Sequence, residues 1–386
     1  MRQDRFDVAI VGAGPAGSTL AALLATRGLA VALIDRDRFP RDKVCGEFIS
    51  YDALPLLEYL GLGTAIGEAG ATSIDHCRVI GERATYEFSF PHAARGLSRF
   101  VFDAMLLAHA AARGAVRLDG WTAVAIDSER LTLQRGEESR ELTARVIVGA
   151  WGRWGRFDQT LGRAFVRDRA HRSFGFKRHY LATHASSSID LHSFPGGYLG
   201  VNQVEGGITN ICGLVHADRL AGHKGRWDAF VETIRTESRS LDALYAAHQP
   251  AQEEFLSSDP VIFRARSAVE GGIVMIGDAS GIVDPLTGNG MAMAVQSAFL
   301  AAPFLANLCV NGADRTQFEN AYRRAHAAFF GPRIAWSRSA ALLLSRPSLL
   351  EAAMQLVRTP RVGEMLLRRT RAADRSVESL LNEAAH

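Results

Sequence analysis

Two glycine clusters, far apart in the chain, carry the residues best suited to chemistry. The first is Gly12-Ala13-Gly14-Pro15-Ala16-Gly17, directly after the apolar run Val8-Ala9-Ile10-Val11. A tight turn at Gly12, a bare backbone at Gly14 and close helix packing at Gly17 suit a pyrophosphate, which free N–H groups and the positive end of the helix then face. Asp35 ends a second apolar strand 23 residues after Gly12, the spacing of a carboxylate that accepts ribose hydroxyls. Together these residues predict dinucleotide binding. The second cluster is Gly277-Asp278-Ala279, followed by Pro285 and by Gly288-Asn289-Gly290-Met291. Asp278 stands at the carboxyl end of the apolar run 273–276, placed to accept hydrogen bonds from a polyol chain. Gly290 opens a long apolar helix, 290–308, whose N-terminal dipole favours negative charge on a facing ring.

The elements that must position these clusters follow from the pattern between them. Strands at 6–11 and 30–35 flank a helix at 15–27, and further helices are expected at 52–60 and 100–113. Short strands at 122–127 and 130–134 precede a strongly apolar one at 144–149. From 174 to 215 the pattern changes to four strands separated by glycine turns, which predicts an antiparallel sheet. A helix at 226–238 follows, and the chain is helical from 315 onward. The expected fold class is α/β, α+β overall: a Rossmann-type cofactor domain with an inserted antiparallel β-sheet substrate domain and a helical C-terminus. In residue ranges this gives a cofactor-binding part at 1–170, with 70–96 contributing to the substrate domain, then 171–262 as that domain. The cofactor domain resumes at 263–330, and 331–386 forms the helical C-terminal region.

Composition narrows the function classes. The 386 residues exceed one ordinary core. The net charge of +3, from 44 basic and 41 acidic residues without a long like-charge block, argues against a nucleic-acid partner. Cys45, Cys77, Cys212 and Cys309 are scattered and form no CxxC, which argues against a metal site or a disulfide framework. The N-terminus runs straight into the first strand, so no signal peptide is expected and the location read from the sequence is cytoplasmic. The apolar stretch 291–310 contains Gln296, Ser297 and Asn307 and reads as a buried helix, not a membrane span. The C-terminal leucines and methionines, broken up by Pro360 and Gly363, are expected to pack on the chain itself or on a second subunit, with peripheral membrane contact the lesser alternative. The remaining partner is a small organic substrate, bound by a monomer or a homodimer.

The run Val274-Met275-Ile276-Gly277-Asp278-Ala279 through Gly288-Asn289-Gly290-Met291 resembles the GD motif of single-component FAD-dependent hydroxylases. That superfamily also includes geranylgeranyl-reductase-like enzymes and flavin-dependent halogenases. The resemblance implies non-covalent FAD: Gly12, Ala13, Gly14, Pro15, Ala16, Gly17, Asp35 and Arg36 at its AMP half, Asp278 at the ribityl chain, and Gly277, Pro285, Gly288, Asn289, Gly290 and Met291 at the flavin. The segment Phe39-Pro40-Arg41-Asp42-Lys43-Val44-Cys45-Gly46-Glu47 is similar to the reductase and halogenase branch. By that resemblance Arg41, Lys43, Cys45, Gly46 and Arg99 meet the cofactor, and Ala123 offers backbone to the adenine. Cys45 and Glu47 are the candidate catalytic residues. Phe174, Phe176, Tyr198 and Ile211 are expected to roof the flavin on the substrate side.

The chain also departs from the pattern. Trp151 stands where the superfamily carries an acid, which leaves the binding mode of an NADH or NADPH donor open. The halogenase motif Trp-x-Trp-x-Ile-Pro is absent, and no lysine matches the halogenation lysine. Flavin chemistry places little demand on protein acids and bases. The first expectation is therefore monooxygenation of a small aromatic or polyketide-like molecule through a flavin hydroperoxide. Reduction or dehydrogenation of a prenyl or other lipid-like substrate is the alternative, and a non-catalytic flavin-binding protein a distant third. If the second cluster holds the ribityl chain, Asp278→Ala purifies with less FAD than the unsubstituted protein; equal flavin absorbance per protein would show the cluster misassigned.

Overall fold

The computed structural model describes residues 4–168, 172–223, 225–263, 266–282, 288–356 and 361–385. Pro285 lies outside the described residues. Strand β1 (Asp4–Val11) is buried from Val8 to Val11, and β2 (Val31–Asp35) is buried along its whole length. Strands covered on both faces read as unbroken Val, Ile, Leu and Ala runs, and these do. With β5 (Val116–Asp119), β8 (Glu138–Gly149) and β13 (Ile273–Met275) they form a parallel array in the order β13–β8–β1–β2–β5. A hairpin of β6 (Thr122–Ile126) and β7 (Arg130–Arg135) continues the sheet antiparallel from β8.

Register decides what meets at the sheet's edge. Val11 pairs with both Ile34 and Gly149, and Gly149 pairs with Met275. The carboxyl ends of β1, β2, β8 and β13 are therefore level, which brings Gly12, Asp35, Ala150 and Gly277 to one crevice. The chain leaves β1 toward β2 and returns on the other side through β8 and β13, so the crevice is a topological switch point, where open α/β sheets bind ligands.

Helices α1 (Pro15–Thr26), α2 (Arg99–Ala112) and α5 (Gly290–Asn311) cover one face of this sheet through Leu20, Leu24, Phe102, Leu106, Val295 and Phe299. By length and composition α5 would cross a membrane, but its Val295, Phe299 and Leu305 are fully buried in this core. The sequence-derived helix at 290–308 thus matches, as do those at 15–27 and 100–113, within a few residues.

The second sheet is assembled from two stretches of chain. Strands β3 (Thr72–Ile80) and β4 (Thr85–Gly96) join β9 (Arg172–Leu181), β10 (Ser188–Phe194), β11 (Gly197–Val204) and β12 (Ile208–His216) in the order β9–β12–β11–β10–β3–β4. Only the β10–β3 contact in that series is parallel. The far face packs under α3 (Trp227–Glu237) and α4 (Arg239–Ala247), where Phe176, Phe194, Ile211, Phe230 and Leu241 form a closed cluster. The near face carries Ile74, Leu191, Tyr198 and Leu214, and meets Ile282 and the C-terminal Leu344 and Leu350. The latter come from α6 (Arg315–Leu344) and α7 (Pro347–Leu356); α8 (Arg361–Thr370) and α9 (Asp374–Ala385) end the chain.

At Gly17 a Cβ would lie 1.9 Å from the Gly12 carbonyl oxygen, a backbone atom that cannot swing aside. Gly17→Ala is expected to lower unfolding free energy by about 1–3 kcal/mol in urea titrations. Gly67, helical and with nothing within 4 Å of a new Cβ, gives the opposite sign: Gly67→Ala stabilises by about 0.4–1 kcal/mol.

Candidate cofactor and active site

The crevice is built around close backbone approach. Gly277 adopts φ +59°, and a Cβ there would sit 2.9 Å from that of Ala16. Its N–H donates to Ser297 Oγ at 2.8 Å. The first turn of α1 therefore lies against the Gly277 backbone, which α5 grips from its own first turns. Neither Gly14 nor Asn289, the N-cap residues of α1 and α5, caps its helix with a side chain. Free N–H groups and the positive ends of two dipoles are left at the strand ends.

Space matches this. A Cβ on Gly14 would meet only Arg99 Nη2, at 3.6 Å, and one on Gly290 or Gly46 would meet nothing within 4 Å. At Gly12, with φ +113°, it would strike the Ala150 carbonyl oxygen at 2.3 Å. Gly12 and Gly17 are thus needed by the fold, whereas Gly14 and Gly290 leave room for a ligand. A pyrophosphate at the first helix and an electron-rich ring edge at the second both fit.

Charged side chains line the crevice in a connected set. Asp35 accepts the Ala13 N–H at 2.8 Å and the Asp37 N–H at 2.9 Å, which fixes its carboxylate beside the glycine turn. Arg99 grips the fully buried Asp103 with two hydrogen bonds of 2.6 Å, and Arg41 adds a third at 3.0 Å. Arg41 also stacks on Phe39, 4.4 Å from the ring centroid, and reaches Asp35 at 3.6 Å. Burial works against the Arg99 charge, but Asp103 outweighs it and holds the guanidinium protonated above its ordinary range. Arg99 Nη2 is thereby held 3.6 Å from where a Cβ of Gly14 would lie, which leaves a guanidinium beside the open backbone of the glycine turn.

The sequence matches the family described as FAD binding domain over residues 5–329. The chain belongs to that family. FAD is therefore the cofactor to set against the crevice, and its glycines, helix ends and arginines fit that group. Over 408 aligned residues the chain is 28% identical to menaquinone reductase of Mycobacterium tuberculosis, covering 98% of this chain and 91% of that protein. It is 27% identical to digeranylgeranylglycerophospholipid reductase 2 of Methanopyrus kandleri, covering 89% of this chain and 87% of the relative. Among solved structures, the myxobacterial chondrochloren halogenase CndH superposes with a TM-score of 0.75 at 20% identity, covering 99% of this chain and 97% of that one.

Several expected FAD contacts come together around the crevice of this family member and some do not. Trp121 N–H donates to the Asp35 carbonyl at 3.0 Å, which sets the start of the β6 hairpin, with Ala123, beside Asp35, where the AMP half is expected. Gly288 packs on Phe48, and Met291 is buried behind Gly290. Arg36 instead points outward and pairs with Asp37 at 3.7 Å. Lys43, more than a third exposed, pairs with the same Asp37 at 3.0 Å. Asp278 is one-third exposed and 3.5 Å from Arg153, whose other end donates to the Val44 carbonyl at 2.8 Å. Arg153 thereby ties the Cys45 loop to the second glycine cluster, a role the sequence reading missed.

Trp151, in the position of the missing acid, turns inward. Its indole fills the space beside Gly149 and Gly155 and donates to Asp158 at 3.2 Å. Asp158 is fully buried and paired with Arg163 at 2.8 Å.

The roof residues need correction. Phe176 and Ile211 belong to the far-face core under α3 and α4. Phe174 shares the parity of Phe176 and pairs with Val215 of that same core. Of the four, Tyr198 alone lies on the near face. The residues of β9 that do face the cofactor half are the alternate ones, Lys177 and His179.

Both of them reach Glu47. Glu47 is completely buried at φ +53°, the only non-glycine with positive φ among the described residues. One carboxylate oxygen accepts from Lys177 Nζ at 2.5 Å and from the Arg99 N–H at 2.8 Å; the other meets His179 Nε2 at 2.7 Å. Its own N–H points to Cys45 Sγ at 3.4 Å, and Asn210 Nδ2 donates to the Cys45 carbonyl at 3.1 Å. The loop 43–47 is thus clamped between the second sheet and the start of α2.

Burial alone would push the Glu47 carboxyl upward; the His179 hydrogen bond and the Lys177 charge outweigh it and hold the group below its ordinary 4.5. A lowered carboxyl value stabilises the fold above the unfolded value and loses that contribution as pH falls through the folded one. Glu47→Gln strands Lys177 in the interior and is expected to cost about 3–5 kcal/mol at neutral pH. The difference from the unsubstituted protein should start to shrink as pH falls past 4.5, the unfolded value, and close once pH falls through the lower folded value, where the carboxylate itself is lost. A gap independent of pH would show that the pair is not ionic.

Proposed function

We propose that this flavoprotein reduces a long apolar substrate of the isoprenoid type. Bound FAD supplies the two-electron transfer. The chain supplies the site: helix ends and arginines anchor the cofactor, and the near face of the second sheet excludes water around the substrate. The single observation carrying the reading is that near face. Phe48, Ile74, Leu191, Tyr198 and Leu214 line it, and Leu344 and Leu350 of the C-terminal helices close over it. Such a surface suits a hydrocarbon chain better than a small polar aromatic. The two reductases with which the chain aligns along most of its length, one named for menaquinone and one for a digeranylgeranyl lipid, support the same class.

Glu47, kept ionised by its partners, is no proton donor at neutral pH. It is a positioning residue that fixes Cys45 and, through the Arg99 N–H, the start of α2. Cys45 is the thiol that this clamp holds, and in this reading it takes the proton-donor role in reduction.

The test uses the FAD-loaded protein reduced with dithionite under anaerobic conditions, so that it is independent of the natural electron donor. Addition of menaquinone or a geranylgeranyl lipid should reoxidise the flavin and yield a product heavier by two hydrogens. A substrate that stays unchanged without oxygen, and gains an oxygen atom from labelled dioxygen when air is admitted, would replace this reading with monooxygenation.

A further inference from the structure

A second charged cluster lies behind the start of α5, away from the Asp35–Arg99 set. Helix α6, the segment 370–373 and the start of α9 enclose a cleft of about 330 Å³, lined by Phe329, Arg333, Arg371, Ala372 and Ser376 among others. Arg333 and Arg371 are 5% and 6% exposed. The buried carboxylate between them is Asp52, 3.5 Å from Arg333 Nη2. The same Asp52 oxygen also accepts from the Ala372 N–H at 2.9 Å and from Gln296 Nε2 at 3.0 Å. Arg333 spends its other nitrogens on Gln296 Oε1, at 2.8 Å, and on the Thr370 carbonyl, at 3.3 Å.

The account does not balance. Two guanidiniums face one buried carboxylate; Arg371 Nε and Nη1 have no acceptor among the described residues, and Arg333 Nη2 has only the 3.5 Å ion-pair contact with Asp52. Arg371 rests against Phe48, 5.8 Å from the ring centroid, which supplies contact but no hydrogen-bond acceptor. An uncompensated charge at this depth costs several kcal/mol unless an anion joins it. The other acid nearby, Asp374, is exposed at the start of α9. That start adds the positive end of a 12-residue helix to the cleft.

We propose that this cleft binds a small oxyanion, a carboxylate or phosphate group, held by Arg333 and Arg371 with Ser376 at its mouth. Burial, opposed by Asp52 and reinforced by Arg371, draws the Arg333 guanidinium down to about 10, and a bound anion reverses that cost. The site does not rest on the reductase reading: its charged groups, Arg333, Arg371 and Asp52, belong neither to the crevice nor to the near face, with which it shares only the Phe48 ring.

The experiment measures thermal unfolding of the FAD-loaded protein against inorganic phosphate, acetate and chloride at matched ionic strength. Phosphate or acetate should raise the midpoint saturably, and chloride should not. Ser376→Asp is compatible with the first turn of α9, where an acidic side chain is favoured. It places a like charge at the mouth and should weaken half-saturation about tenfold. Asp52→Asn removes the internal competitor and should tighten binding several-fold, although a merely structural cluster would gain nothing from an anion. Octyl phosphate beside inorganic phosphate separates the two sources of the group: higher affinity for the former marks the head of an amphiphile, equal affinity a free ion. Equal midpoints in phosphate, acetate and chloride, or an unchanged half-saturation in Ser376→Asp, would overturn the proposal.

Discussion

Bare backbone at Gly17 and Gly277 allows β1, α1, the Gly277 turn and α5 to approach more closely than any side chain permits. The rest of the cofactor site depends on that approach. With Gly277 wedged against Ala16, two uncapped helix ends open at one edge of a level sheet. Each end contributes about 0.3–1 kcal/mol to a nearby negative charge when exposed, and more where water is excluded. Neither end alone would discriminate a dinucleotide from any other anion. Their fixed relation, with Asp35 beyond one and Asp278 beside the other, selects a ligand long enough to span both.

A second constraint acts across the two sheets. Glu47 gathers Lys177, His179 and the Arg99 N–H around one carboxylate, and a buried ion pair of this kind adds little net stability once desolvation is counted. Its value is geometric. Alternative positions for the loop would leave a buried lysine without its anion, so the loop has one place to go. The positive φ at Glu47 fits that view, because a strained backbone persists only where its surroundings over-determine it. The same carboxylate sets Arg99 by its backbone, and Asp103 sets the Arg99 guanidinium against Gly14.

Legibility in the sequence followed the range of the interaction. The glycine turns and Asp35 declare themselves because local spacing and flanking apolar strands are sufficient to specify them. The parity of β9 did not: Phe174 and Phe176 are apolar and β-prone, and nothing local says that their side of the sheet packs under α3 and α4 and not over the cofactor. Lys177, Arg178 and His179 are three consecutive polar residues, so local polarity marks neither face, and only the distant Glu47 and Asp228 sort them to opposite sides. The roles of Arg153, Asp103 and Arg163 were not legible for a different reason, since each acts only through a partner that the fold brings near. Trp151 was noticed as an anomaly, and the glycines on both sides of it explain how an indole is accommodated at that strand end.

The C-terminal segment completes the site by what it removes from it. Asparagine is among the best N-caps because its side chain satisfies the first free N–H groups of the helix. Ser98 does this for α2, accepting from Val101 N–H at 3.2 Å. Asn289 does not do so for α5: its amide donates to the Thr370 carbonyl, while the next residues carry Arg371 to Phe48 and the Ala372 N–H to Asp52. The tail thus occupies the one side chain that would otherwise have closed the helix end. An N-cap diverted by a distant segment leaves the dipole and the N–H groups of α5 open at the crevice, so the segment around 370–372 shapes that helix end through Asn289 of the second glycine cluster.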